Sequence, residues 1–375
     1  MKIICFTDCL GSGGAQRQLS LLAVLLKRKG HEVLFVTYNA GEHFTPDLVA
    51  AGVARVRFDN WPKLFRPIAL HRLLRKFNTD GVIVFQEAPS FYAEIASFFN
   101  KRWRLVVSER NAIPPNYVKY PTRLLLQSHR LADVVTTNSV ANRIQIESEV
   151  PALRGRLHTI YNAVDLERFR PMKRSPNSSG FNLVVLSSHK EQKNFEKLAQ
   201  AVKFLLDDNT LPTFFIEWFG GEAAPGWLYR DKTCCDKIGI SSVVRFHPPT
   251  QAPEVVLNQA DALILPSLWE GLPNAVCEAL SVGCPVLMSD VADARFLVQE
   301  GVTGYLFDPR SPKEIAEAVK KFLLLSGEAQ QEMRVEARKF AERAFDPERY
   351  VSEYEMLLDY SQCDKGSSKS VRSVR

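Results

Sequence analysis

No apolar run in this 375-residue chain approaches the roughly 18 residues that a bilayer-spanning helix needs. The opening stretch, Met1 to Leu10, is too briefly apolar for a signal peptide and reads as a first core strand. Seven cysteines (Cys5, Cys9, Cys234, Cys235, Cys277, Cys284 and Cys363) show no paired Cys-x-x-Cys spacing. They read as buried or incidental thiols of a reducing compartment, which points to the cytoplasm. There is no Asp-x-Asp pair of the kind that holds a divalent cation. Nor is there a tandem repeat, a paired zinc finger or an aromatic RNA-binding signature, so a solenoid and a nucleic-acid partner are not expected.

What is present is ordinary in amount and uneven in placement. Apolar residues make up 46% and charged residues 24%, as in a soluble globular protein, and the length makes two domains the natural expectation. Residues 1–180 hold 26 Lys and Arg against 14 Asp and Glu, whereas the remainder holds 22 against 28. A basic first half suits anionic lipid or a phosphorylated acceptor.

The stretch from Ala262 to Asp290 organises the rest. Ala262 to Leu265 is continuously apolar, as in a strand buried on both faces of a parallel sheet. Gly271 and Pro273 break the chain, and Pro273 suits the first turn of a helix. Ala275, Val276, Ala279 and Leu280 then recur at helical spacing, Gly283 reads as the stop, and Pro285 to Met288 as the next strand. The result is a βαβ unit whose loop lies at the carboxyl end of the sheet, where open α/β folds bind ligands. Glu270 precedes the helix, and Glu278 lies one turn after Asn274 on roughly the same face. Both could be solvated helix-end acids. Alternatively, carboxylates accept from sugar and ribose hydroxyls while helix N-terminal N–H groups suit phosphate, a combination that would hold a sugar nucleotide.

The remainder supplies further parts. Ile3 to Thr7 reads as a strand, Cys9 to Gly14 as a glycine-rich loop, Ala15 to Lys29 as a helix, and Val33 to Tyr38 as a second strand. A dinucleotide fingerprint would need glycine where Gln16 stands and an acid where Asn39 stands, so no nicotinamide cofactor is expected. Gly13 and Gly14 still let phosphate or sugar oxygens approach the backbone, unless they serve only a tight turn. Trp61 to Phe77 and Tyr117 to Leu131 are basic and amphipathic. Such segments suit an anionic membrane surface, or simply pack on the sheet. Gly81 to Phe85 and Leu105 to Val107 read as strands, the second running into Ser108-Glu109-Arg110-Asn111. Residues 173–180 read as a linker between a domain over 1–172 and one over 181–345. A helix over 346–360 and a disordered tail over 361–375 follow.

The segment PSLWEGLPNAVCEALSVGCPV (266–286) resembles the signature of retaining GT-B glycosyltransferases of family 4. Similar companions run in order along residues 1–360: the loop and helix from Gly11, the SERN run from Ser108, IYNAVDLERFRP from Ile160, SSHKEQKN from Ser187, and EGVTGYLFDP from Glu300. The resemblance implies an α/β protein of two doubly wound Rossmann-like domains facing across a cleft. The first would take the acceptor, with the helix over 346–360 packing back on it, and the second the nucleotide sugar. It implies catalytic roles for Glu270, Lys193 and Glu109. Donor contacts would come from Gly13, Gly14, Ser188, Lys193, Asn194, Glu270, Gly271, Leu272, Asn274, Ala275 and Glu278. Within the SERN run, Glu109 and Arg110 either meet substrate or form a structural ion pair. Ser187 and Ser188 stand where the family carries glycine and arginine, which removes a fixed cation from the diphosphate side. The implied activity is metal-independent transfer of a hexose or N-acetylhexosamine from a nucleotide sugar, foremost a UDP-sugar, with no further cofactor. The acceptor would be a saccharide or lipid-linked saccharide of cell-surface polysaccharide, lipopolysaccharide or glycolipid biosynthesis. The enzyme would be cytoplasmic or peripheral at the inner face of the plasma membrane. A non-catalytic sugar-nucleotide-binding partner of a membrane complex and a sugar-nucleotide epimerase on the same fold remain alternatives.

Overall fold

In the computed structural model, which describes residues 1–59, 61–98, 101–110, 125–174 and 180–359, the apolar runs become parallel strands in two separate sheets. The first sheet holds β1 (Lys2–Phe6), β2 (Glu32–Thr37), β3 (Ala54–Arg57), β4 (Gly81–Phe85), β5 (Arg104–Glu109), β6 (Val134–Thr137) and β7 (Leu157–Thr159). Its order is β3-β2-β1-β4-β5-β6-β7. The second holds β8 (Phe181–Leu186), β9 (Phe214–Phe219), β10 (Val244–His247), β11 (Ala262–Leu265), β12 (Val286–Ser289) and β13 (Gly304–Phe307), in the order β10-β9-β8-β11-β12-β13. Central strands such as β4 and β11 are buried at every residue, because helices cover both faces of a doubly wound sheet. The order reverses between β1 and β4 in one sheet and between β8 and β11 in the other. The loops leaving those neighbours part to opposite faces and open a crevice.

Each unit has its own core. Ile4, Phe6, Val82, Val84 and Leu105 pack with Leu70, Leu74 and Trp103 in the first. In the second, Leu183, Val185, Ile216 and Ile264 pack with Leu198, Val202, Val319 and Phe322. Local signals fix the element ends. Ser139, Ser311 and Ser326 each accept a backbone N–H two or three residues into the helix that follows. The organising helix, Asn274–Ser281, stops before Gly283, whose φ of +73° a side chain would strain.

The first unit is Met1–Tyr161 closed by the helix Pro347–Leu358, and the second is Asn162–Asp346. The change of unit thus falls earlier than the polar stretch 173–180, most of which lies outside the described residues. The reason is that residues 162–172 are bonded into the second unit. Asn162 Nδ2 reaches Asn274 Oδ1 at 2.7 Å, Val164 N reaches Phe345 O at 3.2 Å, and Met172 N reaches Asn258 Oδ1 at 2.7 Å. The closing helix buries Tyr350, Val351, Tyr354 and Leu358. A Cβ on Gly81 would come within 2.6 Å of Leu358, so glycine lets the helix lie against the start of β4. Residues 111–124, which include Asn111 and much of the basic segment from Tyr117, and the tail beyond 359 lie outside the described residues.

Candidate functional site

In the second unit the crevice beside β8 is built from two loops, 187–194 and 266–273. Gly220 lets the first turn sharply, since a Cβ there would sit 1.8 Å from Ser187 O. The loops are then zipped together: Leu268 N donates to Gln192 O at 2.8 Å, and Gln192 Nε2 donates to Trp269 O at 2.6 Å. This pairing brings Lys193 Nζ to 2.5 Å from Glu270 Oε1, with both side chains largely shielded but not sealed from solvent. Lys190 stands beside the pair. Burial lowers its pKa, as does the charge of Lys193, while Glu270 opposes both. A cation, a carboxylate and a second, weakened cation therefore meet at the carboxyl ends of adjacent strands.

The expected residues separate by role. Gly271 and Leu272 are buried in the turn, and Asn274 and Ala275 open the helix Asn274–Ser281 at half-exposed positions. Asn162 clamps the turn by donating to Leu272 O at 3.2 Å and to Asn274 Oδ1 at 2.7 Å. Glu278 lies on the same helix and is buried. Ser188 is half-exposed at the end of β8, and its carbonyl accepts from Ser187 Oγ at 3.2 Å. Asn194 does something the sequence does not display. It adopts φ +57°, and its amide donates to Pro266 O at 2.9 Å and Pro309 O at 2.8 Å. Both amide hydrogens are thereby used in fastening the loop, which leaves only Oδ1 to face a ligand.

The first unit has a matching crevice beside β1. Gly13 and Gly14 are exposed at the start of the helix Gly14–Arg28, where backbone N–H groups favour anions. Behind them Gln16 Nε2 donates to Asp8 Oδ1 at 2.8 Å, and Thr7 Oγ1 donates to Gln86 Oε1 at 2.7 Å. Gln86 holds φ +80°, which is rare for a side-chain-bearing residue and marks the turn from β4 into the helix Glu87–Ser97. Sequence reading singled out neither Gln86 nor Glu87. A positive φ has no signature in a glutamine, and the strand before it gave no cue beyond its end.

Glu109, expected at the substrate, is 2% exposed at the end of β5. Its Oε1 lies 3.1 Å from His129 Nε2, and His129 Nδ1 lies 2.6 Å from Glu94 Oε1. All three are buried. Burial by itself would lower the His129 pKa. Hydrogen bonds to Glu109 and Glu94, with their charges, more than offset this and hold it at about 10, so the imidazolium bridges two carboxylates. The pKa of Glu87 is raised, first by burial and then by the charge of Glu109. Arg110 is buried too, with its guanidinium 4.5 Å from the Phe85 ring centre. It donates to the Tyr350 and Tyr354 hydroxyls at 3.4 Å and so ties the closing helix to the sheet.

Comparison with known proteins bears on both units. A family model described as Glycosyltransferase Family 4 matches residues 12–168, and one described as Glycosyl transferases group 1 matches residues 170–340. D-inositol 3-phosphate glycosyltransferase 1 of Catenulispora acidiphila is 28% identical over 234 residues, covering 57% of this chain and 54% of that protein. N-acetylgalactosamine-N,N'-diacetylbacillosaminyl-diphospho-undecaprenol 4-alpha-N-acetylgalactosaminyltransferase of Campylobacter jejuni is 24% identical over 341 residues, covering 86% and 90%. This chain spans about half the length of several of the curated relatives it matches. Among solved structures, Anabaena HepE in complex with UDP and glucose shares the fold with a TM-score of 0.83 at 18% identity, over 96% of this chain and 99% of that one.

Proposed function

Since this chain belongs to the GT-B glycosyltransferases of family 4, we propose that it moves a hexose or N-acetylhexosamine from a nucleotide sugar to a saccharide or lipid-linked saccharide. The donor in this reading is a UDP-sugar, transfer proceeds with retention at the anomeric carbon, and no metal is required. The observation that carries it is the Lys193–Glu270 pair at the β8/β11 crevice, set directly before the N-terminus of the helix Asn274–Ser281. Support for the donor comes from HepE, whose structure holds UDP and glucose, and support for the acceptor from the Campylobacter relative, named for a diphospho-undecaprenol substrate.

In this reaction the bond between the anomeric carbon and the diphosphate oxygen breaks and a bond to the acceptor oxygen forms. The acceptor's proton passes to the departing diphosphate. Lys193 and the backbone N–H groups of Leu272, Asn274 and Ala275 face the negative charge that grows on the diphosphate, and preorganised donors of this kind often supply most of an enzyme's rate enhancement. Glu270 receives hydroxyls of the transferred sugar and opposes positive charge at the anomeric centre. Its ion pair with Lys193 fixes both side chains before the donor arrives. Glu278 takes the ribose, and Lys190 stands in for the arginine that Ser188 replaces. The first unit takes the acceptor.

The test is nucleoside diphosphate release from a panel of UDP-, GDP- and ADP-sugars, with donor binding followed by calorimetry. Release from a UDP-sugar, lost in both Glu270→Ala and Lys193→Ala while both stay folded, is the expected result. Tight donor binding with no release, even with membrane extract as acceptor, would instead identify a non-catalytic binding partner, the reading that the missing cation at Ser188 favours.

A further inference from the structure

Strand β4 ends in a backbone conformation that its own residue resists. Gln86 holds φ +80° and ψ +155°, a region that glycine alone enters without strain. Two residues bonded to its backbone leave their hydroxyls unmet. Ser108 O accepts from Gln86 N at 3.2 Å, and Ser90 N donates to Gln86 O at 3.1 Å. Both serines are fully buried, and neither hydroxyl has a partner among the described residues. Strain and orphaned polar groups cost stability, and where they persist together they mark a place held for function. The side chain of Gln86 shows what is held. Its Oε1 accepts from the buried Thr7 hydroxyl at 2.7 Å, which leaves Nε2 on the far side of the amide. Gln86 is half-exposed, and among the described residues Nε2 has no partner. The same Thr7 hydroxyl lies 3.3 Å from Asp8 Oδ1, which also accepts from Cys9 N and Gln16 Nε2. Asp8 Oδ2 has no partner among the described residues either.

We infer that Gln86 and Asp8 together select the acceptor, by holding two neighbouring hydroxyls of an uncharged sugar ring in the β1/β4 crevice. The inference rests on the reading above, in which the first unit takes the acceptor, and it names the part of the acceptor met there. Chemistry decides the class. A carboxamide nitrogen only donates, and a carboxylate oxygen only accepts. A sugar hydroxyl does both, so adjacent ring hydroxyls satisfy the two side chains at once. The side chains are close enough for this, because both reach one Thr7 hydroxyl. A uronate carboxylate or a phosphodiester accepts only. It would meet Nε2, but it has no proton for Asp8 Oδ2 and would face Asp8 and the neighbouring Glu87 with like charge. Such a site discriminates strongly, because the wrong ligand leaves its polar groups unpaired. The strained backbone fits this arrangement. At a negative φ the Cβ of Gln86 would point elsewhere and carry the amide off the Thr7 hydroxyl.

The experiment is saturation-transfer NMR on the full chain without donor, beside thermal melting. The probes are methyl glucoside, methyl galactoside, methyl N-acetylglucosaminide and methyl glucuronide. At least one neutral glycoside should bind with a Kd on the order of millimolar. The glucuronide should bind about tenfold more weakly or less. Gln86→Gly should weaken the neutral glycosides about fivefold while the melting temperature holds or rises, because glycine relieves the strain. Asp8→Asn keeps an oxygen for Cys9 and Gln16 and should close most of the gap between glucoside and glucuronide. That variant carries the test if Gln86→Gly lowers the melting temperature. The inference is overturned if no neutral glycoside binds, if the glucuronide binds as well as the glucoside, or if both variants bind all probes as wild type does. Binding lost in Glu270→Ala instead would put the sugar in the second unit and overturn it too. Glycoside binding is read without turnover, whereas nucleoside diphosphate release reports the proposed reaction, so failure of one is separable from failure of the other.

Discussion

In both units the strand order reverses beside the first strand of the sheet, at β1/β4 and at β8/β11, yet the charges behind the two crevices are disposed differently. In the second unit Lys193 and Glu270 sit in the crevice itself, paired and partly solvated. In the first, the bridge of Glu94, His129 and Glu109 is buried behind the crevice, and the partly exposed Asp8 and Glu87 stand at its edge. Topology decides where a ligand can be met, and side-chain burial decides what the charges there are for. A solvated pair is free to exchange partners with a ligand, whereas a buried bridge is committed to the fold.

The comparison breaks most directly if the two charge sets are removed in turn. Lys193→Ala and Glu270→Ala should each cost about two to three orders of magnitude in donor turnover, the scale of losing one preorganised charge-stabilising group. Their urea midpoints should stay near wild type, and a large fall would move the pair from catalysis to structure. His129→Ala should do the opposite. It leaves Glu94 and Glu109 facing a void and should cost about 3–5 kcal/mol in urea unfolding, with donor binding per folded molecule retained. Gly220→Ala tests the loop that carries Lys193. Its Cβ would meet Ser187 O at 1.8 Å, so a loss of about 2 kcal/mol and a raised donor KM are expected together.

Two pH profiles sharpen the contrast with smaller effects. The pKa of His129 is raised from 6.5 to about 10 in the fold, so its contribution to stability is complete below pH 6.5 and is lost as pH climbs through about 10. The melting temperature should decline across that window more steeply for wild type than for His129→Gln. Equal slopes would mean the bridge is not protonated. Glu87, with its carboxyl pKa raised, ionises at a higher pH than an ordinary glutamate. Stability should therefore decline as pH rises through that raised value, because the carboxyl holds its proton more tightly in the fold than in the unfolded chain, and Glu87→Gln should remove this part of the decline. An unchanged profile would mean that Glu87 ionises as an ordinary glutamate.

Legibility followed the same division. The strands Phe181–Leu186, Phe214–Phe219 and Ala262–Leu265 stand where their apolar runs put them, because a strand covered on both faces must be apolar throughout. Glu270 and Lys193 belong to short local patterns around two loops, which is why the sequence names both and the structure sets them side by side. Asn194 belongs to one of the same patterns, but neither its positive φ nor its bonds to two distant proline carbonyls can be read from neighbouring residues. The Glu94–His129–Glu109 bridge joins three elements far apart in sequence, and no periodicity links them. The strand Ala54–Arg57 is exposed at every residue on the sheet's edge, so it carries none of the burial pattern by which strands are recognised. The helix Glu87–Ser97 hides for another reason: its buried positions mix apolar Pro89, Ala93 and Ala96 with polar Ser90, Glu94 and Ser97, so no clean apolar stripe marks it.

The closing helix has a consequence for how the molecule is made. The second unit is one continuous stretch of chain, but the first is assembled from residues at both ends of the described sequence. During vectorial synthesis domains generally fold as units as they emerge. Here the sheet that leaves the ribosome first waits for Tyr350, Tyr354 and Leu358 to cover Phe85, Arg110 and Gly81, more than 200 residues later. Until then the guanidinium of Arg110 lacks the two hydroxyls it donates to in the finished protein. The half begun first is the half completed last, and a chain halted after Asp346 would carry a whole second unit behind an unfinished first one.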